Sequence, residues 1–250
     1  AVKWIAEKYN IEMEEEKLKK EYSKPVQRLE KLEKDTIAYF ENHRGISNNT
    51  LLRFKVTDSI EWMPKAQGEI PVICFNYFQE GELVNVKFRG KNKDFKLVKD
   101  AKLIFYNLDS IKEQKECVIC EGEIDSMALH EAGIFSNVSV PAGAARGKLR
   151  LEYLDNCWQN FEDKERIVIM TDNDEPGKLL RDELARRFGY HRCFKVEYPE
   201  GCKDADEVLL KHGRDCLKKM VADAKEWPLE GVLSVFDDLI EEVCNYWDHG

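Results

Sequence analysis

The stretch VICEGEIDSMALHEAG, from Val118 to Gly133, is the part of the sequence that decides the fold. It begins as a short apolar run typical of a buried strand and continues at once with the spacing of a helix. A strand that turns directly into a helix is the first half of a strand–helix–strand unit, which builds a parallel sheet. The carboxylate of Glu121 stands where the strand ends, and Asp125 follows in the first turn of the helix.

The same arrangement recurs further along the chain in IVIMTDNDEPG, from Ile167 to Gly177. Here an apolar run ends in Asp172 and Asp174, and another helix follows. Alternation of this kind predicts an α/β fold with a mostly parallel sheet flanked by helices. The predicted strands are 116–121, 136–140, 166–172 and 192–198, and the predicted helices are 123–132, 148–161, 175–188 and 204–224.

A different pattern precedes the alternating region. Apolar residues at helical spacing predict a helix from Val26 to about His43 that stops at Gly45, and Ser47 is placed to cap a short second helix. The segments IPVICFNYF, LVNVKF and DFKLV then predict an antiparallel meander, with QEGE as its first turn. The sequence therefore predicts a small α+β subdomain ahead of the parallel sheet.

The predicted domain organisation has four parts. Residues 1–25 form a charged tail or helix, residues 26–115 the α+β subdomain, residues 116–226 the mostly parallel domain, and residues 227–250 one more amphipathic helix. The chain lacks an initiator Met. We interpret it as a piece of a longer protein.

Composition narrows the class of protein. Charged residues make up 35% and hydrophobic residues 43%, which is typical of a globular chain. No apolar run approaches the roughly 20 residues of a membrane span, and the charged start is not a signal peptide. Eight cysteines scattered through predicted strands and helices indicate reduced thiols in a cytosol-like compartment. The net charge of −9 is unfavourable for binding nucleic acid, but a local basic stripe can still do so.

Carboxylates follow several of the predicted strands. Glu121, Asp172 and Asp174 come at strand ends, and KDADEV adds Asp204 or Asp206 after the fourth strand. In a parallel sheet these ends share one edge, where functional groups gather. Converging carboxylates repel one another unless cations occupy the site, and oxygen ligands suit Mg²⁺ or Mn²⁺.

The alternative for acidic residues near these positions is that they cap helix N-termini, where negative charge is favourable. We assign this role to Glu123, Glu175 and Glu183. For the carboxylates at the strand ends themselves, metal binding is the favoured interpretation.

Basic residues alternate in VKFRGKNKDFKL, at Lys87, Arg89, Lys91, Lys93 and Lys96. They form either a nucleic-acid-binding stripe or an edge strand protected from aggregation by lysines, and the pattern alone favours neither. The Gly/Ala-rich loop PAGAARGK, which contains Arg146, also has two interpretations between which the sequence does not decide. It either approaches phosphates through its backbone N–H groups or is an ordinary loop.

The motif EGEID after one strand, followed by DNDEPG after a later one, resembles the TOPRIM domain of primases and topoisomerases. The segments AYFENHRGISNNTLLRFKV and KDADEVLLKHG and the meander are similar to the primase half of phage and organellar (Twinkle-like) primase–helicases. The resemblance covers about residues 35–215. It extends more weakly to 227–250, which resembles the linker before a helicase domain.

The resemblance implies roles for the carboxylates. Glu121, Asp125, Asp172 and Asp174 would be catalytic, with Glu121 nearest the reacting hydroxyl. Glu121, Asp172, Asp174 and Asp204 would bind Mg²⁺ or Mn²⁺. The activity implied is a nucleotidyltransferase, a DNA primase that makes short RNA primers from NTPs on a single-stranded DNA template.

The resemblance also shifts the interpretation of the basic stripe, because Lys87 and Lys93 match nucleotide-binding lysines of the family. We expect Arg89 and Arg146 to assist them. The expected partner is a helicase domain or a separate helicase. The apolar stripe in 229–247 either docks on a neighbouring protomer in a homo-oligomer, as the linker helix of the resembled family does, or packs back on its own domain. The expected location is the cytoplasm of a bacterial or phage-infected cell, or an organelle, and no membrane partner is expected.

The sequence departs from that family in two parts. It contains no P-loop motif and no Cys₄ zinc-binding domain ahead of the core. We therefore expect the catalytic core of a longer protein. The alternatives are a TOPRIM nuclease, a topoisomerase-like DNA-cleaving enzyme, and a non-catalytic TOPRIM module that only binds nucleic acid.

Overall fold

The computed structural model of the protein describes residues 21–26, 32–142 and 151–227. Three predictions lie outside these residues: most of the N-terminal tail, Arg146 with the greater part of its loop, and the C-terminal helix 229–247. Within the described part of the chain, no helix has the length and apolar character needed to cross a membrane.

The first sheet is an antiparallel meander of four strands in the order β1-β2-β3-β4. The turn between β2 and β3 places Glu80 at φ 54° and Gly81 at φ 77°, the left-handed conformation that tight two-residue hairpins require. The strands are β1 (Thr57–Met63), β2 (Gly68–Gln79), β3 (Glu82–Gly90) and β4 (Asp94–Leu97).

Strand β1 was not predicted, and its burial explains why. Ser59 and Met63 point to the covered face, whereas Ile60 and Trp62 are 62% and 52% exposed. The usual alternation of apolar inward and polar outward residues is therefore missing from this strand.

Two helices precede the meander, α1 (Lys34–Arg44) and α2 (Asn48–Arg53). Gly45 ends α1 at φ 63°, and the Ser47 hydroxyl accepts from Thr50 N, as predicted. The predicted start of α1 at Val26 is wrong, because residues 32 and 33 are not helical.

The late start of α1 has a tertiary cause. Asp58 of β1 accepts hydrogen bonds from Glu33 N at 2.6 Å and from the Thr36 hydroxyl at 2.8 Å. A carboxylate from a distant strand thus satisfies the donors at the helix N-terminus, which local sequence cannot reveal.

The second sheet has five strands in the order β6-β5-β7-β8-β9, and all but β9 are parallel. This confirms the predicted α/β class. Its strands are β5 (Glu116–Cys120), β6 (Asn137–Ser139), β7 (Arg166–Met170), β8 (Cys193–Lys195) and β9 (Lys225–Glu226).

The helices of this region are α3 (Glu123–Glu131), α4 (Glu152–Cys157), α5 (Glu175–Phe188), α6 (Ala205–His212) and α7 (Arg214–Ala222). The single helix predicted over 204–224 is wrong. Gly213 adopts φ 80° and divides it into α6 and α7, because this left-handed conformation interrupts a right-handed helix.

The parallel strands are buried on both faces. Ile119 and Ile169 belong to a core cluster that also contains Phe75 and Tyr77 of the meander, so the two sheets share one core. On the opposite face, Val118 and its neighbours pack under α6 and α7. Burial on both faces explains the continuous apolar runs in the sequence and leaves the carboxyl ends of the strands as the open edge.

The predicted boundary between residues 115 and 116 coincides with the first residue of β5. The division into four domains stays a prediction, since the shared core joins the two central parts.

Candidate active site

A cleft of about 440 Å³ opens between the carboxyl ends of β5 and β7 and the face of the meander formed by β3 and β4. Its two walls differ in charge. We call Glu121, Asp125, Asp172 and Asp204 the acidic wall, and Lys87, Arg89 and Lys93 the basic wall. The other residues of the lining include Arg44, Phe95, Lys96, Glu123, Lys203 and Asp206.

The acidic wall is built where parallel strands end side by side. Cys120 pairs with Met170 across β5 and β7, so Glu121 and Asp172 leave the sheet at neighbouring points. The Asp172 N–H donates to Glu121 Oε2 at 3.2 Å. Asp125 is buried in the first turn of α3, where its Oδ2 accepts from the backbone N–H of Gly122 at 3.1 Å.

Burial and neighbouring carboxylates raise the pKa values of two residues of the acidic wall. Burial, followed by the charges of Glu121 and Asp204, raises the pKa of Asp172 from 3.8 to about 7. Burial, with the charges of Asp204 and Asp172, raises the pKa of Asp125 well above its usual range. The acidic wall therefore stores like-charge repulsion, as its predicted convergence implies.

Asp174 is placed differently from the other predicted ligands. It does not line the cleft, and its Oδ1 accepts from Gly177 N at 2.8 Å as the N-cap of α5. Its charge contributes to the raised pKa of Asp172 only after burial, Glu121 and Asp204. In this arrangement Asp174 caps a helix, and its role as a metal ligand stays a prediction.

Asp204 and Asp206 come from the acidic segment after the fourth strand. Asp204 Oδ1 caps α6 by accepting from Glu207 N at 2.8 Å, and its Oδ2 lies 3.0 Å from Lys203 Nζ. Asp206 is buried and forms an ion pair with Arg44 of α1, which joins the two halves of the cleft.

The basic wall is supplied by the meander. Lys87 and Arg89 leave the same face of β3, and Lys93 follows in the short turn before β4. Arg89 donates to the Tyr39 hydroxyl at 3.4 Å. Of the other basic residues in the stripe, Lys91 does not line the cleft, and Lys96 forms an ion pair with Glu61 at 3.0 Å.

Glu123 was predicted to be a helix-capping acid, and this interpretation is incomplete. It is the first residue of α3, but its side chain is buried and its Oε1 lies 2.7 Å from Lys87 Nζ. The buried Tyr77 hydroxyl donates to the same oxygen. Glu123 thus holds Lys87 of the basic wall beside the acidic wall. The position of Glu123 two residues after Glu121 is the one feature of the sequence that indicated a place near the site.

The side chains of the acidic wall provide carboxylate oxygens, which are suitable ligands for a divalent cation such as Mg²⁺. Burial and the neighbouring carboxylates Glu121 and Asp204 raise the pKa of Asp172, so a divalent cation bound there would favour its ionised form. Among the described residues, no three acidic, histidine or cysteine side chains converge into a complete metal site.

Known proteins are similar to this chain in sequence or in fold. A family model described as Toprim-like matches residues 118–209. The chain is 39% identical over 225 residues to the Twinkle homolog protein, chloroplastic/mitochondrial, of Arabidopsis thaliana, covering 83% of this chain and 31% of the relative. It is 40% identical over 212 residues to the Primase homolog protein of the same organism, covering 78% of this chain and 61% of the relative.

The chain therefore spans about a third and about three fifths of the lengths of these curated relatives. Among solved structures, the primase fragment of the bacteriophage T7 primase-helicase protein matches with a TM-score of 0.61 and 24% identity, over 80% of this chain and 79% of that chain. That likeness concerns the fold, and the identity to the plant proteins concerns the sequence. Together they show that the chain contains a Toprim-like region and is similar to the primase portions of Twinkle-like primase–helicases.

Proposed function

We propose that the chain is the catalytic core of a DNA primase, which synthesises short RNA primers on single-stranded DNA by nucleotidyl transfer. The observation that carries this proposal is one cleft with an acidic wall facing a basic wall. Nucleotidyl transfer requires mainly positioning and neutralisation of phosphate charge, and the two walls are suited to these tasks. The sequence similarity to the plant Twinkle homolog protein and Primase homolog protein supports the same activity.

In this proposal the acidic wall binds Mg²⁺ or Mn²⁺ through Glu121, Asp172 and Asp204, with Asp174 as a further ligand. A bound divalent cation supplies charge neutralisation at the phosphate and lowers the pKa of a coordinated hydroxyl. Glu121 is the carboxylate nearest the attacking 3′ hydroxyl and accepts its proton. Asp125 orients the wall from the first turn of α3. The new bond forms between the 3′ oxygen and the α-phosphorus, and pyrophosphate leaves.

The basic wall binds phosphates of the NTP and of the template in this proposal. Lys87 and Lys93 contact the triphosphate, and Arg89 and Arg146 assist. Lysine and arginine bind phosphate through charge-assisted hydrogen bonds, and each such contact adds salt dependence to nucleic-acid binding.

The wider setting of this activity follows from the relatives. We propose that the chain is the primase portion of a primase–helicase, so that a helicase domain or a separate helicase is its partner. The activity would serve a compartment with a replicating genome, which is the cytoplasm of a phage-infected or bacterial cell, or an organelle. One of the matched plant proteins carries the description chloroplastic/mitochondrial.

A homo-oligomer contact through residues 229–247 is a further part of the proposal, because an apolar stripe there includes Leu233, Phe236 and Ile240. We expect light scattering at high protein concentration to show a species larger than a monomer, and a chain ending at Trp227 to lose it. A strict monomer in both chains contradicts this contact.

A gel assay tests the function. The purified chain is incubated with radiolabelled NTPs, single-stranded DNA and Mg²⁺ or Mn²⁺, with Asp172→Asn as the inactive control. We expect short RNA products from the parent and none from the variant. Nicked DNA without extension of any oligonucleotide would favour a nuclease, and binding without either reaction would favour a non-catalytic module.

A further inference from the structure

Phe95 is an aromatic side chain on the wall of the cleft that is open to solvent. It is 43% exposed, whereas Phe75 and Phe88 of the same sheet are buried. Phe95 lies directly opposite Arg89 across β3 and β4, so both side chains leave the same face of the sheet. That face is the one that lines the cleft.

Two cations of the basic wall lie against this ring. Lys87 Nζ is 5.2 Å from the ring centroid of Phe95, and Arg89 Cζ is 5.8 Å from it. Distances of this size allow cation–π attraction, which holds the ring and the cations together as one surface.

Such a surface has the chemistry that binds nucleotides without regard to sequence. Cations contact the phosphates, and an aromatic face beside them stacks on a base, because every base has a π face. A single exposed phenylalanine needs no explanation in itself, but Phe95 lies against two cations inside the cleft, where a bound nucleotide could contact both the cations and the ring.

We propose that Phe95 is a nucleobase-stacking site of the cleft. This inference rests on the proposed function in that the ligand is a nucleotide, and it adds a contact to the base that the basic wall alone does not provide. The stacked base belongs either to the incoming NTP or to the DNA template, and the two sources are separated by measurement.

The test compares Phe95→Ala, Phe95→Leu and Phe95→Trp in the full chain. If the stacked base belongs to the incoming NTP, the substitutions change the KM for NTP in primer synthesis. If it belongs to the template, they change the Kd for a fluorescent single-stranded oligodeoxynucleotide measured without NTP. We expect Phe95→Ala to raise one of these constants roughly five- to 150-fold, the range of base–aromatic stacking. Phe95→Trp should restore it, and Phe95→Leu, which keeps an apolar side chain without a π face, should not.

Two probes separate stacking from an indirect effect on Lys87 and Arg89. Inorganic triphosphate and an abasic oligodeoxynucleotide carry the phosphates without bases. Phe95→Ala and the parent should bind each of them equally well. Weaker binding of these probes by Phe95→Ala would mean that the ring acts by holding the cations, which would overturn the proposal.

The matched control is Phe135→Ala, because Phe135 is 61% exposed and does not line the cleft. It should leave KM and Kd unchanged, and both alanine variants should melt within roughly 2 °C of the parent. Unchanged KM and Kd in Phe95→Ala, or parental values in Phe95→Leu, would overturn the stacking site. The Kd measurement with the oligodeoxynucleotide does not require primer synthesis. If the parent protein binds the oligodeoxynucleotide through Phe95 but makes no RNA, the proposed function is refuted and the stacking site is not.

Discussion

Asp172 and Asp174 are two residues apart and carry the same side chain, yet their surroundings differ. Asp172 lines the cleft among carboxylates, and its pKa is raised to about 7 by burial, Glu121 and Asp204. Asp174 is exposed and caps α5. Asp172→Asn and Asp174→Asn therefore remove the same charge but should affect the stability of the protein differently.

The raised pKa of Asp172 makes stability depend on pH in a known direction. Below about pH 3.8 the carboxyl is protonated in both the folded and unfolded states and contributes nothing. As the pH rises towards 7, the unfolded state ionises first, so the metal-free protein loses stability, and above pH 7 the loss is complete. We expect metal-free Asp172→Asn to match the parent near pH 4 and to be more stable at pH 8 by about 1–3 kcal/mol, allowing for partial exposure.

Chemical denaturation in EDTA at both pH values measures this difference. Asp174→Asn is the matched control and should follow the parent at both pH values, because Asn caps helices about as well as Asp. Asp172→Asn melting below the metal-free parent at pH 8 would make Asp172 a structural residue and would contradict its place in a repelling cluster.

The two lysines of the basic wall also differ. Lys93 is exposed, whereas the side chain of Lys87 is 11% exposed and paired with the buried Glu123. We expect Lys93→Ala to raise the KM for NTP, to lower the salt slope of nucleic-acid binding by about one unit, and to leave stability unchanged. Lys87→Ala should raise KM as well and also destabilise the fold by about 3–5 kcal/mol, because it leaves a buried carboxylate without its cation.

A double-mutant cycle separates the two effects of Lys87→Ala. Adding Glu123→Gln removes the stranded charge and should recover most of the stability while KM stays high. If Lys87→Ala and Lys93→Ala both leave the kinetics unchanged, the basic wall does not bind the phosphates of the NTP, and that part of the proposal fails.

At the scale of elements, the junction of β7 and α5 depends on Gly177. A Cβ placed there would lie 2.1 Å from the carbonyl oxygen of Asp172, so no side chain fits without moving the backbone that carries that carboxylate. The N–H of Gly177 also donates to Asp174 Oδ1, and its carbonyl accepts from the Thr171 hydroxyl at 2.8 Å.

We therefore expect Gly177→Ala to lower stability by about 1–3 kcal/mol, the usual cost of overpacking, and to abolish primer synthesis. Gly68→Ala is the matched control, because a Cβ there meets nothing closer than 3.9 Å. Thermal melting and the primer gel measure the two effects. An active Gly177→Ala would show that the position of Asp172 is not critical for synthesis.

At the scale of the whole molecule, two ion pairs connect the elements on either side of the cleft. Lys87 and Glu123 connect the meander to α3, and Arg44 and Asp206 connect α1 to α6. The acidic wall is therefore held together by the rest of the fold despite its repulsion, and a cation that relieves this repulsion should stabilise the entire chain.

We expect the melting temperature of the parent to rise with added Mn²⁺. A ligand that binds only the folded state stabilises it by about 1.4 kcal/mol at roughly ten times its Kd. Asp172→Asn should flatten this response, and Glu121→Gln should retain part of it but abolish synthesis, because its proposed role is nearer the proton transfer. Calorimetry over a Mn²⁺ titration measures the response, and an unchanged melting temperature in the parent would contradict metal binding by the acidic wall.

Local patterns in the sequence determined most elements of the second sheet and the edge of that sheet at which the carboxylates lie. Apolar runs that pass into Glu121 and Asp172 predicted the parallel strands and placed carboxylates at their ends, because side-chain period and helix start signals act over a few residues. The resemblance carried by EGEID and DNDEPG then supplied the family. The second sheet and the fold class agree with these predictions.

Only the tertiary structure decided which charged groups meet. Lys87 and Glu123 are 36 residues apart in the chain, and Arg44 and Asp206 are 162 residues apart, so no local pattern records either contact. Tertiary packing also places Asp58 at the N-terminus of α1, where it caps the helix. It likewise gives Asp172 and Asp174 their different surroundings. The physical reason is that periodicity and capping depend on neighbours along the chain, whereas ion pairing and pKa depend on neighbours in space, which the packing of the two sheets brings together.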